Sequence, residues 1–290
     1  MAKENVTQSG YIAVTDAQLQ TAGLVVWWRL SGGLNLPELR DAWERAGLDE
    51  KLTPSEPTMA TALRRAVSEL RAPDRIVRSL PKGGFGVVRE TANTASNEND
   101  YRCILKASLD PLGRLELEGT EDILFPKVRA SFEQYQAELT QEDVSPWLTS
   151  IMKKIAAVPL RDTGGIYFVP RFAVPEWEAI AGAVRSSSKH SLFGMPAMRT
   201  AEAVSAIEDA IAQEAESAAA AVERDLAEYD LGERALQNRV AMTNAIESKL
   251  VKYEELLGGR LEKLHERLDG LRAAVTHAIV VAQSKADAAE

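Results

Sequence analysis

TMATALRRAVSELRAPDRIVRSLPKGGFGVVRE, residues 58–90, is the stretch on which the fold turns. Pro54 and Pro57 break the chain, and Met59, Ala62, Leu63, Ala66, Val67 and Leu70 then recur at three and four, so residues 58–71 are predicted to form an amphipathic helix. The opposite face carries Arg64, Arg65, Ser68 and Arg71. Two short β-branched runs follow, 75–80 and 85–89, about Pro81-Lys82-Gly83-Gly84, the composition of a hairpin turn. Working outward toward the N-terminus, Leu36, Leu39, Ala42, Trp43 and Ala46 mark an earlier helix, with Pro37 in its first turn and Gly47 just past its end. Before it, residues 24–30 (LVVWWRL) read as a strand closed by Ser31-Gly32-Gly33.

Strand, helix, helix and hairpin follow one another in the order of a winged-helix domain, and residues 15–91 resemble that family. The resemblance implies that the second helix enters the DNA major groove while the hairpin touches the backbone or the minor groove. On this chain the implied helix contacts are Thr58, Thr61, Arg64, Arg65, Ser68 and Arg71, and the implied wing contacts are Arg78 and Lys82. Charge supports the placement: residues 59–90 hold seven Lys and Arg against three Asp and Glu, a local +4 in a chain of net charge −9. The overall acidity, and the use of winged helices to grip proteins, keep a protein ligand open beside DNA.

Residues 92–100 (ANTASNEND) contain nothing apolar larger than alanine and read as a linker or loop. Residues 101–109 and 114–118 alternate about Asp110-Pro111-Leu112-Gly113, a second hairpin. Glu116, Glu118, Glu121 and Asp122 then cluster, but alternate glutamates beside Leu115 and Leu117 are the exposed face of a half-buried strand, and no metal is assigned to them. A helix over 127–139, a second one capped at Ser145-Pro146 and ending near Ala157, and a hairpin of 158–161 with 166–169 repeat the earlier order. Residues 127–169 therefore suggest a second winged-helix-like module. A helix over 175–185 and a strand over 191–195, returning to the edge formed by 166–169, complete this middle unit.

From Thr200 to about Ala282 the chain has no proline and reads as nearly continuous helix, with its best break at Tyr229-Asp230-Leu231-Gly232. Leu250, Leu257, Leu264 and Leu271 are spaced by seven, with Leu261, Leu268 and Val275 filling the four-residue steps. Such a seam cannot stay exposed. Either the helices fold back on each other or the arm, on the order of 75 Å long, pairs with another chain. Those seven residues are the expected oligomerisation surface, with a second copy or another coiled-coil protein as partner. Gly258, Gly259 and Gly270 suggest a kink, close packing or a break.

The expected architecture is thus α+β and mostly α: a winged-helix-like domain over 1–91, a linker over 92–100, an α+β unit over 101–198 and a coiled-coil arm over 199–290. No window approaches the roughly 18 apolar residues of a membrane span, and no secretory signal opens the chain, so a cytoplasmic protein without membrane contact is expected. One cysteine, Cys103, and three histidines, His190, His265 and His277, assemble no disulfide, triad or metal motif, and Gly83-Gly84-Phe85-Gly86 lacks the Lys and Ser/Thr of a phosphate loop. No catalytic residue and no cofactor is expected. The arrangement also resembles uncharacterised phage and bacterial proteins that carry a long C-terminal coiled coil. Two functions follow as expectations: a DNA-binding, oligomerising regulator or maintenance factor of a phage, plasmid or bacterial host, or a structural adaptor that grips proteins.

Overall fold

A computed structural model of the chain describes residues 21–81, 83–93, 98–161, 165–228, 233–259 and 261–287. Its elements run β1 (Thr21–Arg29), β2 (Leu34–Asn35), α1 (Leu36–Arg45), α2 (Met59–Ser68), β3 (Arg75–Ser79), β4 (Phe85–Asn93), β5 (Glu98–Leu109), β6 (Leu115–Gly119), α3 (Phe125–Ala137), β7 (Glu138–Leu139) and α4 (Gln141–Lys154). They continue with β8 (Val158–Pro159), β9 (Ile166–Pro170), α5 (Val174–Ser186), β10 (Ser191–Met198), α6 (Ala201–Glu228), α7 (Glu233–Leu257) and α8 (Glu262–Asp287). The chain is α+β and mostly helical, as its sequence leads one to expect.

Two compact units divide these elements, and both are discontinuous. The first, a meander unit, combines Arg29–Leu148 with Ala179–Ser191; the second, a bundle unit, takes the described residues through Trp28, Thr149–Glu178 and the chain from Leu192. The expected succession of domains at 1–91, 101–198 and 199–290 is corrected accordingly. Strand β1, assigned from sequence to the winged-helix-like domain, pairs with β9 in the bundle unit instead. The expected second winged-helix module is likewise split, with α3 in the meander unit and the β8–β9 hairpin in the bundle unit.

In the meander unit, β3-β4-β5-β6 form one antiparallel sheet in sequence order. The alternation of Val77, Val87, Leu105 and Leu117 puts them on one face, where α2 brings Leu63, Ala66 and Val67 and α3 brings Val128 and Phe132 to the same core. Each fully buried Leu or Val here contributes about 1.5–3 kcal/mol relative to exposure. Helix α2 is capped by Thr58, whose Oγ1 accepts from Thr61 N at 3.2 Å, and it ends at Ser68, three residues short of the expected Arg71. Helix α1 is capped by Asn35 Oδ1 on Glu38 N (3.0 Å) and stopped by Gly47 at φ 65°. The 92–100 linker is corrected: Ala92 pairs with Asn99 and Asn93 with Glu98, so its described residues lie in strands. The hairpin β3–β4 is therefore the first half of a four-stranded meander and not a separate two-stranded wing.

Helix α4 begins at Gln141, earlier than Ser145-Pro146 suggested, because Asp143 Oδ2 accepts from both Thr140 N and Thr140 Oγ1 at 2.9 Å and so closes the first turn. Its other end belongs to the bundle unit. There Ala156 N donates to Lys153 O and Ala157 N to Met152 O, the two bonds of a Schellman stop, with Ala156 at φ 59° where glycine is usual. Two side chains one turn apart on α7 seal this end: Lys249 Nζ donates to Ala157 O (2.8 Å) and Tyr253 Oη to Ala156 O (2.7 Å).

The sheet of the bundle unit has the order β10-β1-β9-β8. Strand β10 thus lies beside β1, which corrects its expected return to the β9 edge. On this sheet Ala22, Val158, Phe168 and Ala197 join a core with Ile207, Ile211, Ala215 and Val222 of α6. The same core takes up Leu250, Leu257, Leu264, Leu268, Leu271 and Val275, with Leu261 packed half-buried against it. The expected oligomerisation seam is therefore covered within the chain. The reason is the glycine pair: Gly258 sits at φ 76° with its N–H on Glu254 O (2.8 Å), α7 stops, and α8 starts afresh at Glu262, so one long rod becomes two helices that meet each other and α6.

Candidate nucleic-acid interface

Helix α2 sets the site. Thr61, Arg64 and Ser68 follow at steps of three and four, one line along the face away from the sheet, whereas Arg71, expected in the same helix, lies beyond its last residue, Ser68. Arg64 and Arg71 are exposed, and neither has an ion-pair partner among the described residues. Thr58 is spent on capping, its Oγ1 lying 2.9 Å from Thr61 Oγ1.

Arg65 is turned off this line. Its Nη2 donates to the Asp143 carboxylate at 2.7 Å, and its side chain keeps 11% of its exposure. Burial pushes the Asp143 carboxyl up, but the Arg65 guanidinium and the Thr140 N–H and hydroxyl outweigh that and hold it below the usual carboxylate range. Arg65 is thus a structural cation held by Asp143.

Arg78 is exposed but lies elsewhere. It alternates with Val77, which packs beneath α2, so Arg78 points to the opposite face of the sheet, in one cross-strand row with Gly86 and Lys106. The structure does not bring it together with the α2 line, which corrects the pairing of helix and wing on a single DNA surface. Lys82 lies outside the described residues. Nearby cations are occupied: Arg89 reaches Asp74 (3.4 Å) and Glu121 (2.9 Å), and Arg75 reaches Asp74 (3.7 Å).

Beside the α2 line opens a cleft of about 680 Å³ that the sequence did not announce. Arg64, Arg65, Ser68 and Glu69 form one wall; Gly32 and Gly33, Tyr135, Glu138 and the start of α4 at Thr140–Glu142 form the rest. Glu69 is fully engaged, taking Ser131 Oγ at 2.7 Å and Tyr135 Oη at 2.6 Å. Its hydrogen bond, with burial, pushes the Tyr135 phenol up to about 12. A Cβ at Gly33 would fall 1.5 Å from Glu138 Oε1, so a side chain there would push the Glu138 side chain aside. The glycine turn is fixed from behind by the residues after α5: Ser31 N donates to His190 Nδ1 (3.1 Å), Ser31 Oγ to Lys189 O (2.8 Å) and Asn35 N to Ser187 O (2.9 Å). Turn composition at Ser31-Gly32-Gly33 was the only advance signal of this wall. Its partners His190 and Lys189 come from 159 and 158 residues away, beyond any local pattern.

Among the described residues no helix is long and apolar enough to cross a membrane. A family described as a family of unknown function (DUF6744) matches residues 22–287. No curated protein matches, and no solved structure matches.

Proposed function

The chain belongs to the DUF6744 family, whose description assigns no activity, and from that premise we propose that it is a non-enzymatic DNA-binding protein of a phage, plasmid or bacterial host. The observation that carries this reading is that Arg64 on α2 and Arg71 just past its end stand exposed and without ion-pair partners among the described residues, with Thr61 and Ser68 beside Arg64 on the helix. Two exposed guanidinium groups seven residues apart, with hydroxyls nearby, suit phosphates of a duplex backbone. Arg78 and Lys106 on the far sheet face add charge for electrostatic approach but no shared groove contact.

The test is anisotropy of a labelled mixed-sequence duplex of roughly 30 base pairs, at low and at moderate salt. Wild type binds with an affinity that falls as salt rises. Arg64→Ala with Arg71→Ala weakens binding and flattens the salt slope by about 0.9 for each phosphate no longer neutralised. Arg65 is left intact because its removal would disturb α2 itself. Equal binding by the double variant, or none by wild type at low salt, removes the reading.

One observation favours a second reading, that of a structural adaptor for protein partners. Beside the exposed arginines the cleft carries Glu69, Glu138 and Glu142, and the chain as a whole is −9. Carboxylates at that spacing repel a polyanion and suit a partner surface of mixed charge. Failure to bind duplex at any salt makes this the reading to pursue.

A further inference from the structure

The sheet of the meander unit has a second face. Helices α2 and α3 cover one side, and an antiparallel sheet with its other side in water normally alternates apolar inward with polar outward. Here the outward positions break that rule. Ile76 of β3 pairs with Val88 of β4, and Val88 with Cys103 of β5, a row that alternates with the core residues Val77 and Val87. Leu80 joins it: a Cβ at Gly86 would lie 3.3 Å from Leu80 Cδ2 and 3.7 Å from Cys103 Sγ. Cys103 is exposed, and Tyr101, two residues earlier on the same face, keeps 61% of its exposure. Apolar surface thus stands open in the middle of the sheet.

The neighbouring row is charged at its ends. Arg78, Gly86, Lys106 and Glu118 are partners across the four strands in turn. Arg78, Lys106 and Glu118 are exposed and make no ion pair among the described residues. Arg78 and Glu118 stand three strand spacings apart, about 14 Å, too far to meet within one chain. A two-fold axis parallel to the strands and midway between β4 and β5 would lay this row on itself in reverse. Arg78 then falls over Glu118 of a second copy, and Glu118 over the Arg78 of that copy. Lys106 falls over Gly86, where no side chain blocks it and Leu80 takes its methylene stem. Packed sheets lie about 10 Å apart, a gap that an arginine and a glutamate reaching toward each other span. At the crossing of about 30° that strand twist sets, the row's ends, about 7 Å from the axis, shift by only about 4 Å.

We propose that this face is a homodimer interface, two copies packing their β3–β6 sheets about that axis through the row Ile76–Val88–Cys103 and two Arg78–Glu118 pairs. Such a face, basic toward one edge and acidic at the other, is complementary to itself. It suits a polyanion poorly, since Glu90, Glu116 and Glu118 stand on it against Arg78 and Lys106. The leucine seam of α7 and α8, covered within the chain, leaves this sheet to receive the second copy. Helix α2 lies on the opposite side, so the inference is independent of DNA binding and its test contains no nucleic acid.

The experiment is sedimentation velocity of the full chain across the micromolar range at moderate salt. A four-stranded face makes a small interface, and the expected result is a reversible monomer–dimer equilibrium with a micromolar dissociation constant. Arg78→Glu sets like charges face to face at both row ends and weakens the dimer about tenfold or more. Arg78→Glu with Glu118→Arg exchanges the signs and restores it to within about threefold of wild type. Cys103, the single cysteine of the chain, lies half a strand spacing from the axis, so a short bismaleimide joins two wild-type chains and fails on Arg78→Glu. Circular dichroism of both variants checks that the fold is kept. The proposal is overturned if the chain stays monomeric throughout, if Arg78→Glu dimerises as wild type does, if the exchanged pair restores nothing, or if a dimeric sample gives no cross-link.

Discussion

Asp143 joins two helices through one carboxylate, taking Arg65 of α2 at 2.7 Å while closing the first turn of α4 on Thr140 at 2.9 Å. Two arginines adjacent in sequence therefore do different work. Arg65→Ala leaves the half-buried Asp143 without its cation and is expected to cost about 2 kcal/mol, whereas Arg64→Ala, on the exposed line, stays within about 0.5 kcal/mol of wild type. Urea denaturation of both variants measures the difference. Equal stability of the two would refute the structural role of Arg65.

The same bridge has a pH signature. The Asp143 carboxyl is held below its ordinary value in the folded chain. Its stabilisation is fully present above the ordinary carboxylate range, about pH 4, and is lost as pH falls through the lower folded value. In the Arg65→Ala variant this part of the acid limb shrinks, which stability measured between about pH 5 and pH 3 would reveal.

His190 acts in a different window. Burial lowers its pKa from 6.5, and the Ser31 backbone, whose carbonyl oxygen lies 3.1 Å from Nδ1, opposes this only in part. Below about pH 6.5 the unfolded chain takes up a proton that the folded chain resists, so stability declines as pH falls. His190→Asn keeps an acceptor for Ser31 N–H and removes the titration. Its urea midpoint should change less than that of wild type between about pH 7.5 and pH 5.5; an identical slope would show that His190 does not report burial.

Ala156 stops α4 in the left-handed region at φ 59°. A non-glycine residue there carries about 1 kcal/mol of strain, partly offset by the greater chain entropy that glycine loses on folding. Ala156→Gly is therefore expected to stabilise the chain by about 0.5 kcal/mol. A destabilised variant, seen as a lower urea midpoint, would mean that the Ala156 methyl packs more than its backbone strains.

The seal on that helix end is separable into its parts. Tyr253→Phe removes the hydroxyl bond to Ala156 O and is expected to cost about 1 kcal/mol. Lys249→Met costs more, about 2 kcal/mol, because it leaves Glu214, now 2.7 Å from Nζ, without its partner. Denaturant midpoints of the two variants, compared with wild type, rank these contributions.

Local signals in the sequence were sound wherever the partner lay close by. Leu36, Leu39 and Trp43 with Pro37 and Gly47 marked α1, and Thr58 marked the start of α2. Asp110 marked the β5–β6 turn because its carboxylate accepts from Leu112 N (2.9 Å) and Arg114 N (2.8 Å), a bond set within four residues. Residues 92, 93 and 98–100 misled because small and polar residues fill these strand ends as they would a linker. Pairings at long range were not legible. The period of β1 shows a strand but cannot say that Val25 will face Phe168, and nothing around Arg65 names Asp143. Of the candidate site, the α2 line could be read from spacing; the cleft beside it could not, since its walls come from four separate segments.

The pairing of β1 with β9 also sets a clock. A ribosome that has finished Trp27 and Trp28 must still make everything up to Ile166 before the first registered partner of β1 exists. At 5–20 residues per second this takes on the order of ten seconds. The meander, whose strands follow one another in sequence, can close during that interval, while an apolar strand with both edges unpaired waits beside it. Newborn chains are thus expected to be most exposed to aggregation, and most in need of a chaperone, before their last third is made.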